Sequence, residues 1–361
     1  MKGPNAGTPD MYSLSGEPSV GSFGWAGVVN DENIHGYRSI AVPGCVAGLA
    51  EAHQRFGNLP WSEVVAPAAN IARNGFSPEW FTLYKLGGLS QMLLRYTELR
   101  ETFMPDNQLP YGGIEAPYIL KQPNLANTLD SIARDGANSL YRGELTENIT
   151  RDIQSNGGIL TMQDFDQYKP FYWKDGLEFK YRGKTIRVPN YACAGITSAM
   201  TLKLLNKFDL SSMQHNSIEA LHLYISAARM AYADRFEYIA DPEFADVPWQ
   251  GLISDTYTDR RSNEIGVNCP SQFNPGNPWI EEGRDPKFVL ESSKPRPDSG
   301  TTHLTVVDGE GNAVSITNTI MSGFGSGIIP KGTGIVMNNG CLLYTSPSPR
   351  DLSTSRMPSS A

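Results

Sequence analysis

Cysteine is scarce in this chain, with four in 361 residues, at positions 45, 193, 269 and 341. No two stand at metal-ligand spacing, so no cysteine-built metal site is expected, and such scattered thiols do not report a redox compartment. Positive charge is also short. Thirty Lys and Arg face 38 Asp and Glu, a net charge of -8 that argues against binding a phosphate backbone, which needs a basic face. No apolar run approaches the roughly 18 residues that would cross a bilayer. The N-terminus lacks a charged-then-apolar leader, because Met1-Lys2-Gly3-Pro4 opens directly into turn chemistry, and this start reads as a truncated one. There is no internal repeat. What is present, 40% hydrophobic and 19% charged residues, suits a soluble globular protein of one large or two ordinary domains.

Residues 1–40 are rich in Gly, Ser and Pro, with a strand-like piece at Trp25 to Val29. After Val42-Pro43-Gly44, small and apolar residues at helical spacing predict a helix over 45–53, closed by Gly57. A second helix is predicted from Pro60 and Ser62 through Ala72, stopped by Gly75. Further helices are expected at 124–135, 144–156, 197–208 and 217–239, and strand-like runs at 177–188 and 301–320. Six prolines make 268–300 a long loop leading to that last run. The final segment from Cys341 keeps no periodicity. It reads either as a disordered tail or, in Cys341-Leu342-Leu343-Tyr344-Thr345-Ser346-Pro347 and Ser355-Arg356-Met357-Pro358, as a translated sequencing adapter, with the authentic frame ending at Gly340.

The run from Thr301 to Ile320 carries the chemistry. Two β-branched stretches flank the five-residue loop 308–312, a hairpin signal. Pairing Val307 with Ala313 sets Thr305 against Ser315, His303 against Thr317 and Thr301 against Thr319. Because side chains alternate, these residues share one mostly polar face, while Leu304, Val306, Val314, Ile316 and Ile320 form an apolar face expected to meet the core. Opposed Cβ atoms stand roughly 4.5–5.5 Å apart, which brings the Thr301 and Thr319 hydroxyls within reach. Taken alone, the pattern also describes an ordinary half-exposed sheet.

The stretch Asp298-Ser299-Gly300-Thr301-Thr302-His303-Leu304-Thr305, followed by Gly311-Asn312-Ala313-Val314, resembles the self-cleavage site of the gamma-glutamyltransferase family. Phe324-Gly325-Ser326-Gly327, Gly332-Thr333-Gly334-Ile335 and Asn338-Asn339 continue the likeness. So do Val42-Pro43-Gly44, Gly157-Gly158-Ile159-Leu160-Thr161, and Ala231-Tyr232-Ala233-Asp234-Arg235 with Asp241-Pro242, all in the family's order. The resemblance implies an α/β (α+β) fold, the αββα four-layer sandwich of N-terminal-nucleophile hydrolases, here incomplete. It divides the chain into 1–300 as large-subunit portion and 301–340 as the start of a small subunit, leaving 341–361 as the non-native tail that the adapter likeness indicates. Autocleavage would fall between Gly300 and Thr301, with Thr301 the catalytic nucleophile and Thr319 hydrogen-bonded to its hydroxyl. The residue types fit. Glycine at 300 tolerates a strained scissile backbone. The freed α-amine of Thr301, with a reference pKa of roughly 7.7–8, can take the hydroxyl proton. No cofactor and no metal are implied. The partners implied are a small-molecule amide substrate and a large/small subunit heterodimer from one precursor; neither nucleic acid nor a membrane is expected.

Some positions depart from the glutathione-using pattern. Aligned on Pro4, the arginine that grips the substrate carboxylate would precede Met1. An asparagine is expected two residues after the second threonine, and this chain has Met321. Gly340 follows Asn339 where Glu or Gln is usual, and the Gly-Gly oxyanion pair and the Ser-Ser pair would lie further on. By motif position Met321, Asn339 and Gly340 are the candidate substrate contacts. Three readings follow: a gamma-glutamyltransferase with altered contacts, an acylase of the gamma-glutamyltransferase-like branch acting on non-glutamyl amides, or an inactive fragment lacking the oxyanion hole. The first implies a periplasmic or extracellular location and the second a cytoplasmic one. Tyr232, Asp234, Arg235 and Glu237 read as a packing and ion-pair face, His303 as a structural hydrogen-bonder, and Cys45 and Cys193 as small core or loop residues.

Overall fold

The structure, a computed structural model, describes residues 2–8, 10–18, 26–110, 117–189, 193–240, 246–268, 270, 272–283 and 301–341. The expected scissile residue Gly300, most of the proline-rich loop and the tail after Cys341 lie outside the described residues. The chain forms two compact units, one from residues 2–171 with 301–341 and one from 172–283.

The first unit opens with strands β1 (Leu14–Pro18) and β2 (Ala26–Val28), paired antiparallel. Helix α1 (Cys45–Phe56) ends where the Gly57 N–H donates to His53 O at 2.7 Å, and α2 (Trp61–Asn74) ends where Gly75 N–H donates to Ile71 O. Both stops are those the sequence predicts. Three short helices follow, α3 (Trp80–Gly88), α4 (Ser90–Arg95) and α5 (Thr97–Phe103), which no clear periodicity announces because Gly87-Gly88 and two breaks interrupt the pattern. Helix α6 (Pro123–Asp135) packs along α2, where Trp61 Nε1 donates to Ile132 O at 2.9 Å and Arg73 pairs with Asp130. Helix α7 (Glu144–Ser155) buries Ile149 and Ile153, and α8 (Met162–Asp166) starts with a reciprocal Thr161–Asp164 capping box.

In the second unit, the run 177–188 is a hairpin rather than one strand: β3 (Leu177–Tyr181) and β4 (Lys184–Val188) pair directly. Arg182 (φ 47°) and Gly183 (φ 78°) make the two-residue turn, both in the left-handed region such turns demand. Helices α9 (Ala194–Leu205), α10 (Ile218–Tyr238), α11 (Trp249–Leu252) and α12 (Asp255–Ser262) complete it. Asp234 on α10 is buried against Arg261 of α12, and Arg235 donates to Cys193 O and Thr197 Oγ1, so this face does carry packing and ion pairing.

The chain then returns to the first unit through β5 (Thr301–Val307) and β6 (Ala313–Thr319). Residues 320–341 run as loops back into the main core. There Ile328 and Met337 are buried with Ile40, Val42, Ile149, Ile153, Leu160 and Phe165.

Candidate active site

The β5–β6 register is the one the sequence predicts, from Thr301 opposite Thr319 to Val307 opposite Ala313. The connecting loop holds itself: the Asp308 carboxylate accepts the N–H groups of Glu310 and Asn312 and the Asn312 side-chain amide. Those bonds hold its carboxyl below the usual aspartate range, the Asn312 side chain contributing most. The expected burial of the apolar face is not found. Leu304, Val306 and Val314 are 45%, 59% and 53% exposed, and only Ile316 and Ile320 are half-buried. Alternation set that face correctly, but no described element packs against the loop end of the hairpin. At the other end, burial pushes the Cys45 thiol at the start of α1 up, partly opposed by the Asn318 side chain.

The polar face is a ladder of hydroxyls. Thr301 Oγ1 donates to Thr319 Oγ1 at 2.9 Å. His303 Nδ1 lies 2.7 Å from Thr317 Oγ1, and its Nε2 lies 3.3 Å from Thr305 Oγ1 and 3.2 Å from Ser315 Oγ. All of these partners are hydroxyls, consistent with a structural hydrogen-bonder. By giving its hydrogen to Thr319, the Thr301 oxygen keeps its lone pairs free for attack on a carbonyl.

Just beyond β6 the chain makes a turn that the sequence does not signal. The Met321 N–H donates to Thr319 Oγ1 at 2.9 Å, a hydroxyl-to-backbone turn, and Met321 sits at φ 77°. By motif position the Met321 side chain is the candidate contact, whereas it is the backbone N–H that touches the threonine pair. Ser322 N–H donates to Asn339 Oδ1 (3.1 Å), and Asn339 Nδ2 donates to Ser322 Oγ (2.8 Å) and Ile34 O (3.0 Å). Asn339 is fully buried with both amide atoms engaged inside the chain, so its side chain braces the turn rather than facing a ligand. Gly340 is likewise buried, its N–H donating to Asn338 Oδ1 at 2.8 Å. Among the described residues no group of three or more His, Cys, Asp or Glu could hold a metal, and no helix is long and apolar enough to cross a membrane.

Known proteins match the chain that carries this arrangement. A profile described as Gamma-glutamyltranspeptidase aligns with residues 3–361. The chain belongs to the gamma-glutamyltranspeptidase family. Within it, the chain is 32% identical to the glutathione hydrolase proenzyme of Escherichia coli (strain K12), covering 82% of this chain and 49% of that protein. It is also 32% identical to the acylase ACY 1 proenzyme of Pseudomonas sp. (strain V22), covering 93% and 56%. Among solved structures, the cephalosporin acylase of Bacillus halodurans matches at a TM-score of 0.72 and 28% identity, over 85% of this chain and 53% of that one. The gamma-glutamyltranspeptidase of Helicobacter pylori matches at 0.68 and 28%, over 76% of each. The chain thus spans about half the length of the curated relatives it matches. The fold is the N-terminal-nucleophile hydrolase fold of the family, in which the described strands form three two-stranded sheets.

Proposed function

We propose that this gamma-glutamyltranspeptidase family member is made as a precursor that cuts itself before Thr301 and then acts as a threonine amidohydrolase or acyltransferase. Its substrates are gamma-glutamyl or related amides. The observation that carries the reading is the 2.9 Å hydrogen bond from Thr301 Oγ1 to Thr319 Oγ1 at the first residue of β5. In the cut, Thr301 Oγ attacks the Gly300 carbonyl carbon, the peptide C–N bond breaks as its nitrogen takes a proton, and water hydrolyses the resulting ester. The Thr301 α-amine is thereby freed, and residues 1–300 and 301–340 become parts of separate subunits. In turnover, that amine accepts the hydroxyl proton while Thr301 Oγ attacks the substrate amide. The leaving amine departs with the proton, and water or an acceptor amine resolves the acyl ester.

The second reading, an acylase on amides without the glutamyl α-amine, is favoured by Met321. A thioether offers only a weak acceptor where the family resemblance leads one to expect an asparagine. Both an acylase and glutathione hydrolases stand among the relatives. The test of the central claim is direct. Protein expressed from the full reading frame yields two bands on a denaturing gel, the smaller product beginning Thr301-Thr302-His303. Thr301→Ala leaves one band, because no hydroxyl remains to attack. A folded wild-type protein that stays a single chain sinks the reading.

A further inference from the structure

We propose that Asn339 is a positioning residue for the threonine pair, acting on Thr319 through the backbone of Met321. The inference rests on the reading of Thr301 and Thr319 given above. Asn339 grips the chain on both sides of Met321. Its own N–H donates to Ile320 O at 3.3 Å, its Oδ1 accepts the Ser322 N–H at 3.1 Å, and its Nδ2 donates to Ser322 Oγ at 2.8 Å. The second Nδ2 hydrogen goes to Ile34 O at 3.0 Å. Ile34 lies in a loop that is itself tied to the returning segment, since Gly36 N–H donates to Ser326 O at 2.8 Å. The clamp is therefore anchored in the body of the unit.

Between the gripped residues, Met321 is held at φ 77°. A methionine adopts this left-handed conformation only where its surroundings enforce it. That conformation aims the Met321 N–H at Thr319 Oγ1, 2.9 Å away. The N–H occupies one lone-pair direction of the Thr319 oxygen and so fixes where the oxygen stands to receive the Thr301 hydrogen. The residue type suits the task. A primary amide supplies one acceptor and two donors in one plane, and Asn339 uses all three; a carboxylate of the same shape has no donor to offer Ile34 O or Ser322 Oγ.

Asn338 provides the matched contrast. It is buried as well, but its amide pairs with Ala41 in both directions (2.8 and 3.2 Å) and takes the Gly340 N–H, so its side-chain hydrogen bonds go elsewhere than residues 319–322. A merely structural brace would make the two asparagines equivalent.

The experiment uses protein expressed from the full reading frame, with Asn339→Ala, Asn338→Ala, Ser322→Ala, Thr319→Val and the doubles carrying Thr319→Val. Two quantities are read: hydrogen exchange of the Met321 amide, and the rate of the Thr301-dependent cut per folded molecule. Asn339→Ala is expected to speed Met321 exchange about tenfold, while Asn338→Ala leaves it unchanged. Asn339→Ala slows the cut about 2- to 10-fold, the effect of one neutral hydrogen bond, and in the Thr319→Val background it slows it no further. Unchanged Met321 exchange in Asn339→Ala, or slowdowns that multiply in the double variant, overturns the proposal. Should Asn339→Ala fail to fold, Ser322→Ala removes only the hydroxyl that accepts from Nδ2, and the same two readouts decide. A wild-type protein without a Thr301-dependent cut defeats the functional reading instead, and Met321 exchange still decides the clamp.

Discussion

At the scale of single residues, the chemistry turns on which groups can meet an incoming acyl chain. Met321 stands where the family resemblance leads one to expect an asparagine, and its N–H is already committed to Thr319. What is left to offer a substrate is a thioether, which is apolar and only weakly accepting. A substrate ammonium gains little from it, whereas an unsubstituted methylene chain loses nothing. The expected outcome is that the enzyme cleaves a glutaryl anilide, the glutamyl chain without its α-amine, faster than the gamma-glutamyl anilide. Restoring an amide with Met321→Asn shifts the ratio of kcat/KM toward the glutamyl compound by about 10-fold or more, the range of one hydrogen bond to a charged group. A wild-type enzyme that prefers the glutamyl anilide would move the assignment back to a plain gamma-glutamyltransferase. The register of Thr301 against Thr319 was legible because the five-residue loop 308–312 sets which residues oppose each other and alternation sets which share a face, while their roles came from the family resemblance. The Met321 turn was not, since methionine carries no preference for the left-handed region. Nor was the Asn339 clamp, whose partners at Ile34 lie 305 positions away.

At the scale of elements, the same division holds. Helix stops at Gly57 and Gly75 were readable from glycine and periodicity, but which element covers which face was not, as the exposed apolar side of the β5–β6 hairpin demonstrates. Docking depends on close approaches that a single sequence does not display. The loop Gly332-Thr333-Gly334 is such a case. Both glycines are left-handed (φ 76° and 68°), yet a Cβ on Gly332 meets nothing within 4 Å, while one on Gly334 falls 2.3 Å from Leu125 N in the first turn of α6. Thr128 of the same helix donates to Thr333 O at 2.7 Å. Gly332→Ala is therefore expected to cost about 1 kcal/mol of conformational strain, and Gly334→Ala at least about 2 kcal/mol more because the loop must lift from α6. Urea unfolding of both variants checks the order; equal losses would mean the contact with α6 is soft. In the second unit, α10 and α12 are joined by Asp234 and Arg261. Burial pushes the Asp234 carboxyl up to about 6, although Arg261 and the Gly276 N–H oppose the shift. An unfolded aspartate titrates near 3.8, so between these values the folded state keeps a proton that the unfolded state releases. This contribution is fully present below about pH 4 and lost as pH rises through 6, on the order of 3 kcal/mol. Asp234→Asn removes the titration. The stability of the wild-type protein relative to Asp234→Asn is expected to be greater at pH 4.5 than at pH 7. The reverse trend would show that pairing with Arg261 outweighs burial.

At the scale of the whole molecule, a cut before Thr301 would sever residues 301–341 from what precedes them, and something other than the peptide bond must then hold the pieces together. The hairpin itself contributes little, being exposed along both faces at its loop end. Among the described residues, the hold comes from residues 320–340. Ile328 and Met337 are almost wholly buried among Ile40, Val42, Ile149 and Ile153, Ile329 lies with Leu93 and Leu99, and the Phe324 ring meets Phe103 edge-on at 4.8 Å. Around them Gly36 N–H donates to Ser326 O, and Asn338 and Ala41 exchange two bonds. Fully burying one such side chain is worth roughly 1.5–3 kcal/mol, so Ile328, Ile329 and Met337 together supply about 5–9 kcal/mol before any hydrogen bond is counted. The bonds to the 36–41 segment and the Phe324 contact add to this, against an association cost of about 4–15 kcal/mol that the precursor has already met by folding as one chain. The processed protein is therefore expected to elute from a sizing column in native buffer at the same volume as uncut Thr301→Ala, and to separate into two species only in denaturant. Ile328→Asp places a charge in the shared core and is expected to release the smaller piece after the cut. A small fragment eluting by itself from the wild-type protein in native buffer would mean that loops 320–340 dock only while the chain is continuous.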